Sequence, residues 1–224
     1  MTPFIDAYCE RTGPGLWNEP LNALTNVAFI IAGLIALRLW RAQPGLTFRN
    51  GWDLLLLIAL LFAIGIGSAL WHTFATGWAS AADTFPILLF ISVYLLSFLA
   101  RLAGCGVTGT VGWFALFQLA NRGVKGQFPP DFLNGSVFYL PTWATLLIMS
   151  GLLTTRRHPA ARDFALATGV FTLSLLLRTV DESVCSALPS GTHFLWHVLN
   201  SIVLYMLLAA LIHSAGGVQH ERRV

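Results

Sequence analysis

Seven apolar stretches alternate with short polar segments along the chain. A helix that crosses a bilayer needs about 20 mostly apolar residues. The pattern predicts helices near 21–40, 52–73, 82–101, 107–121, 136–153, 163–180 and 193–214. The fourth is the shortest and is rich in glycine. The connections are brief, with no internal repeat and no low-complexity tract. The expected fold is all-α: a seven-transmembrane helix bundle forming one membrane domain over residues 1–224.

Composition agrees. The chain is 56% hydrophobic and only 10% charged, whereas soluble domains carry about 25% charge. Residues 1–20 hold Asp6, Glu10 and Glu19 where a cleavable signal needs positive charge and then an apolar run. The first hydrophobic helix is therefore expected to serve as its own insertion signal.

Charge orients the bundle. Arg38, Arg41, Arg49, Arg101, Arg156, Arg157, Arg162, Arg222 and Arg223 fall on one side of seven spans. Arg11, Arg122, Lys125 and Arg178 fall on the other. Basic residues favour the cytoplasmic side, so the N-terminus is expected outside and the C-terminus in the cytoplasm. In a bacterium this membrane is the inner one. The net charge of +3 is a topology signal, and no nucleic-acid motif is present.

Ionisable groups inside hydrocarbon cost about 2.5–3.5 kcal/mol each on insertion scales and mark functional sites. Here they gather toward the outer face: His72, Asp83, Asp181, Glu182, His193 and His197. His193 and His197, in THFLWHVLN, are four apart and share one helix face. Two imidazoles so placed can bind one metal, and His72 offers a third nitrogen from another helix. Three protein ligands with one open position is the pattern of catalytic zinc. The competing reading is an interhelical hydrogen bond.

Ser68 precedes His72 by four residues on the same face. Its hydroxyl is placed either to donate to an oxyanion or to bond its own helix carbonyl. Asp83 is either a general base near the metal or the N-cap of the third helix. Asp6, Glu10 and Glu19 gather hard oxygen ligands that suit calcium, or form an acidic extracytoplasmic tail. Trp17, Trp71, Trp78 and Trp196 suit an interface belt or a lipid pocket. Three cysteines are too few for a disulfide framework. Cys9 and Cys185 fall on one side, where they either pair or stay free.

Three segments together resemble the alkaline ceramidases, within a wider superfamily of seven-helix membrane hydrolases that includes the adiponectin-type receptors. They are DAYCERTGPGLWNEPLNALTN (6–26), GSALWHTFATGWASAADTFP (67–86) and RTVDESVCSALPSGTHFLWHVLN (178–200). The resemblance implies zinc held by His72, His193 and His197, with Ser68 as oxyanion or water partner. It implies Asp83 as the proton-handling carboxylate. It also implies a calcium site from Glu10 and Glu19, with Asp6 and the carbonyl of Tyr8. The chain departs from the family where Ala7 separates Asp6 from the aromatic and where Thr12 replaces an asparagine ligand. Asp181 and Cys185 match a family D-x3-C pattern of unassigned role.

The expected activity is zinc-dependent hydrolysis of the N-acyl amide of ceramide or a similar membrane lipid. A lipid-binding receptor or scaffold with a structural metal, or a lipid esterase, are the alternatives. A retinal protein is excluded because the sole lysine, Lys125, lies in a loop of the predicted topology. A transporter is disfavoured because no inverted repeat or broken helix pair is evident.

Overall fold

The computed structural model describes residues 4–129 and 131–221, with side chains through residue 216. The topological charges Arg222 and Arg223 lie outside the described residues. Among the described residues eight α-helices follow in order: α1 (Pro20–Thr25), α2 (Val27–Ala42), α3 (Phe48–Phe74), α4 (Gly77–Arg101), α5 (Val107–Gln127), α6 (Leu140–Thr155), α7 (Ala161–Val180) and α8 (His193–Glu221). Short 3-10 turns lie at Ser136–Tyr139 and Glu182–Val184. There are no strands among the described residues.

Among the described residues six helical stretches are long and apolar enough to cross a membrane: Pro20–Ala42, Phe48–Phe74, Gly77–Arg101, Ser136–Thr155, Ala161–Val180 and His193–Gly216. They mark an integral membrane protein. The first stretch joins α1 and α2 through Asn26, whose amide donates to the Asn22 carbonyl at 2.8 Å. The fourth predicted helix forms as α5 and runs to Gln127, past the predicted 121. It is not among the six apolar stretches, and Phe117 is its single buried residue.

The ends of the helices explain where prediction and structure part. Thr47 and Asn50 form a reciprocal capping box that starts α3 at Phe48, satisfying N–H groups that have no intrahelical partner. At the other end Ala75 adopts a left-handed conformation (φ 48°), and extended Thr76 takes the N-cap position of α4 without a side-chain capping bond. The chain thus reverses within two residues. α4 starts at Gly77, five residues before the hydropathy rises at 82. Asp83 therefore sits in the second turn of α4, and the N-cap reading of this residue is corrected.

α3 and α8 form the centre of the bundle. The buried stripe of α3 runs Leu54, Leu57, Leu61, Ile64, Ser68 and His72, at the 3–4 spacing of one helix face. On α8 the stripe runs His193, His197, Asn200, Val203, Leu207 and Leu211. Both stripes are apolar along most of their length and turn polar at one end. That change sets the site at the end of the bundle where the N-terminal segment and the α7–α8 loop lie.

Candidate metal centre

His72, at the end of α3, meets His193 and His197, in the first two turns of α8. All three are buried, and one ligand atom from each lies within 4.8 Å of the others. His72 Nε2 is 3.1 Å from His197 Nε2. The outer nitrogens explain why this pairing matters. His72 Nδ1 lies 2.5 Å from Glu19 Oε2. The other Glu19 oxygen accepts from Arg11 Nε at 2.5 Å. An ionised carboxylate only accepts, so Nδ1 of His72 carries the proton. His197 Nδ1 lies 3.0 Å from Thr25 Oγ1. The Thr25 hydroxyl hydrogen goes to the Leu21 carbonyl at 2.8 Å, so His197 Nδ1 also donates.

Both Nε2 atoms consequently present lone pairs to each other across 3.1 Å. Such an approach is repulsive without a cation. Two nitrogens on a tetrahedral zinc, at about 2.05 Å each, stand about 3.3 Å apart. The third imidazole adds a matching feature: His193 Nδ1 is buried with no hydrogen-bond partner. The donor set, its spacing and its outer partners fit one zinc ion. A histidine ligand whose second nitrogen donates to a carboxylate is the usual way proteins fix ring orientation at such a metal.

The α7–α8 loop sets His193. Asp181 is fully buried, and its Oδ1 accepts from the N–H groups of Thr192 (2.6 Å) and His193 (2.9 Å). It supplies the acceptor that the first turn of α8 lacks. Asp181 Oδ2 accepts from the N–H of Cys9 at 3.2 Å. A Cys9–Cys185 disulfide joins the same two segments, so these cysteines pair. Gly191 has φ +62°, and a Cβ there would collide with Asp181 Oδ1. These contacts settle what the D-x3-C spacing does: one residue caps the histidine helix and the other anchors the N-terminal segment over it. Glu182 is exposed beside them.

The N-terminal segment covers the histidines. The Tyr8 ring stacks on His193 with centroids 3.7 Å apart. Burial pushes its phenol above the ordinary range, against the pull of Arg178. Glu10 accepts from the N–H groups of Leu21 (2.7 Å) and Asn22 (2.8 Å) and so caps α1. Burial raises its carboxyl, against those two bonds. Burial likewise raises Glu19, opposed by its bonds from Arg11 and Asn22. Asp6 is exposed, and the Tyr8 carbonyl accepts from the N–H of Arg11 at 3.2 Å. Asp6, Tyr8, Glu10 and Glu19 therefore do not fit a calcium cradle. The Arg11 guanidinium occupies the face of Glu19 that a cation would need.

Ser68 is buried and lies beside the Asp83 carboxylate of α4. Gly67 makes this contact possible. A Cβ at Gly67 would collide with the Ala82 carbonyl, so only glycine lets α3 and α4 come this close beside Asp83. Among the tryptophans, Trp17 and Trp78 are exposed, as in a belt, while Trp71 and Trp196 are buried.

An apolar cavity adjoins the centre. Ile64, Phe90, Leu146 and Phe171 form its walls, and Tyr139 and Trp196 lie at the histidine end. Its volume is about 90 Å³, and it is open on one side.

Sequence reading counts Arg11 and Arg178 only as topological charges. Arg11 is buried, and besides Glu19 it reaches the His72 carbonyl at 2.8 Å. Arg178 sits over the faces of Tyr8, Tyr139 and Trp196. The available signal for Arg178 was its place within an apolar run, LSLLLRTV, where a charge is costly. No family model matches the chain, and no curated protein matches it.

Proposed function

We propose that the protein is a zinc-dependent hydrolase that cuts the N-acyl amide bond of ceramide or a similar membrane lipid. The observation that carries this reading is the convergence of three imidazoles from two helices, with two bare Nε2 atoms 3.1 Å apart. The adjoining apolar cavity supports a lipid substrate, since such cavities suit acyl chains. The resemblance to the alkaline ceramidases points the same way. We read α5 as a seventh span, with the N-terminus outside and the C-terminus cytoplasmic, as the charge bias favours.

His72, His193 and His197 hold the ion. When bound, zinc supplies Lewis acidity toward a carbonyl oxygen and toward water. The remaining chemistry falls to the chain. The cavity walls take the acyl chain and bring the amide carbon to the histidine end. The Asp83 carboxylate accepts a proton from the attacking water. It then delivers that proton to the amide nitrogen as the C–N bond breaks, leaving a fatty acid and an amine. The Ser68 hydroxyl, beside Asp83, is the donor we assign to the developing oxyanion. Glu19 and Thr25 keep the two rings turned inward.

The test is product release from purified protein given a panel of lipid amides and the matching esters, with and without a chelator. Chelator-sensitive release of fatty acid from amides is expected. Release from esters alone would make the protein an esterase. No release from any substrate, with metal bound, would leave a metal-holding lipid receptor.

A further inference from the structure

We propose that Arg178 is a specificity-determining residue that binds an acidic group on the lipid's head, which narrows the substrate class from neutral ceramide to an anionic acyl amide. Arg178 lies in the last turn of α7. Its guanidinium is framed by three rings, 5.9 Å from the Tyr8 centroid, 5.6 Å from Tyr139 and 5.3 Å from Trp196. Such faces attract a guanidinium and exclude water from it.

The unusual feature is what the guanidinium lacks. It has five N–H donors. Nη1 donates to the Tyr8 hydroxyl at 3.3 Å, and Nε is buried with no partner. Among the described residues no carboxylate lies within ion-pair distance of it. The other two inward-facing arginines each hold a carboxylate. Arg11 bonds Glu19 and the carbonyls of Gly13, Gly15 and His72. Arg101 bonds Asp53 through two nitrogens and the Asn50 carbonyl. Arg178 alone of the three has no carboxylate in contact, and its Nε has no partner at all.

Its position says what fills the guanidinium fork. Tyr139 and Trp196 also line the apolar cavity, while Tyr8 stacks on His193. Arg178 thus stands where the cavity meets the histidine centre. An acyl chain in the cavity brings its polar head to this junction. A carboxylate or phosphate next to the amide would take the fork in two parallel bonds, the strong geometry for guanidinium. A neutral alcohol head would give the guanidinium no anion in direct contact.

Direct binding tests this, in neutral detergent micelles and by titration calorimetry. Three probes share one C12 chain: N-lauroylglycine, N-lauroyl-phosphoethanolamine and neutral N-lauroylethanolamine. At least one acidic probe should bind the wild-type protein tenfold or more tighter than the neutral one, about 1.4 kcal/mol. The stronger of the two identifies the head as carboxylate or phosphate. Arg178→Met should abolish the preference, and Arg178→Lys should keep part of it. Equal or tighter binding of the neutral probe by the wild type overturns the proposal, as does a preference that survives in Arg178→Met. The wild-type contrast decides the matter even where a variant does not fold. The proposal rests on the hydrolase reading only for the lipid amide. Binding is read without turnover, so failure of hydrolysis and failure of anion preference remain separate results.

Discussion

The two ends of the bundle treat buried charge in opposite ways. At the end away from the histidines, Asp53 of α3 meets Arg101 of α4. Asp53 Oδ1 pairs with Arg101 Nη2 at 2.5 Å, and Oδ2 accepts from Arg101 Nε and Ser97 Oγ at 2.8 Å each. Arg101 Nη2 also bonds the Asn50 carbonyl. Each charged group there is answered by another. At the histidine end His193 Nδ1 and Arg178 Nε are buried and unanswered, and two imidazole lone pairs face each other. A buried polar group left unmatched costs about 1–3 kcal/mol. A fold keeps such groups when something else completes them. The Asp53 end clamps two helices together, and the histidine end gathers groups that could hold a metal ion.

Substitutions separate these roles. The largest effect short of the histidines is expected from Asp83→Asn. It should retain zinc and lower turnover by about 10²–10⁴-fold, the usual weight of a general base. Steady-state rates beside metal content check this, and wild-type turnover would remove Asp83 from the mechanism. Glu19→Gln should weaken zinc binding by about 10–100-fold, as loss of a histidine's outer carboxylate does. Competition with a chelator measures it.

Asp53→Ala should do the reverse. Zinc content and rate should hold while stability in detergent falls by about 1–3 kcal/mol, because Arg101 and Ser97 lose their acceptor. Loss of zinc in that variant would erase the contrast between the two ends. The smallest effect is on pH dependence. Burial raises the Glu10 carboxyl above its ordinary value of 4.5, so the folded state binds its proton more tightly than the unfolded chain. Stability should therefore fall as pH rises from 4.5 through the raised value, then level off. Glu10→Gln should flatten that decline, which thermal unfolding between pH 4 and 7 would reveal.

The histidines were legible in the sequence because intramembrane ionisable groups are rare and two of them share a helix face at four-residue spacing. Ser68 and His72 were legible for the same reason. Helix existence followed from hydropathy, and helix ends did not. Hydropathy does not register the left-handed Ala75 that starts α4 early and moves Asp83 off the cap position. The acidic residues of the N-terminal segment read as calcium ligands because spacing says nothing of Arg11 folding back onto Glu19. Asp53, Arg101 and Arg178 lie near the ends of apolar runs, where a charge reads equally well as topology. Only tertiary contacts distinguish a charge in a loop from one clamped by Asp53 or framed by three rings.

The central claim is that His72, His193 and His197 hold one metal ion between them. Elemental analysis of the purified protein, alongside His72→Ala, His193→Ala and His197→Ala, tests it most directly. The account predicts one zinc per wild-type chain and loss of it in each folded variant. A folded variant that keeps its full zinc, or a wild-type chain that binds none when zinc is supplied, would contradict it.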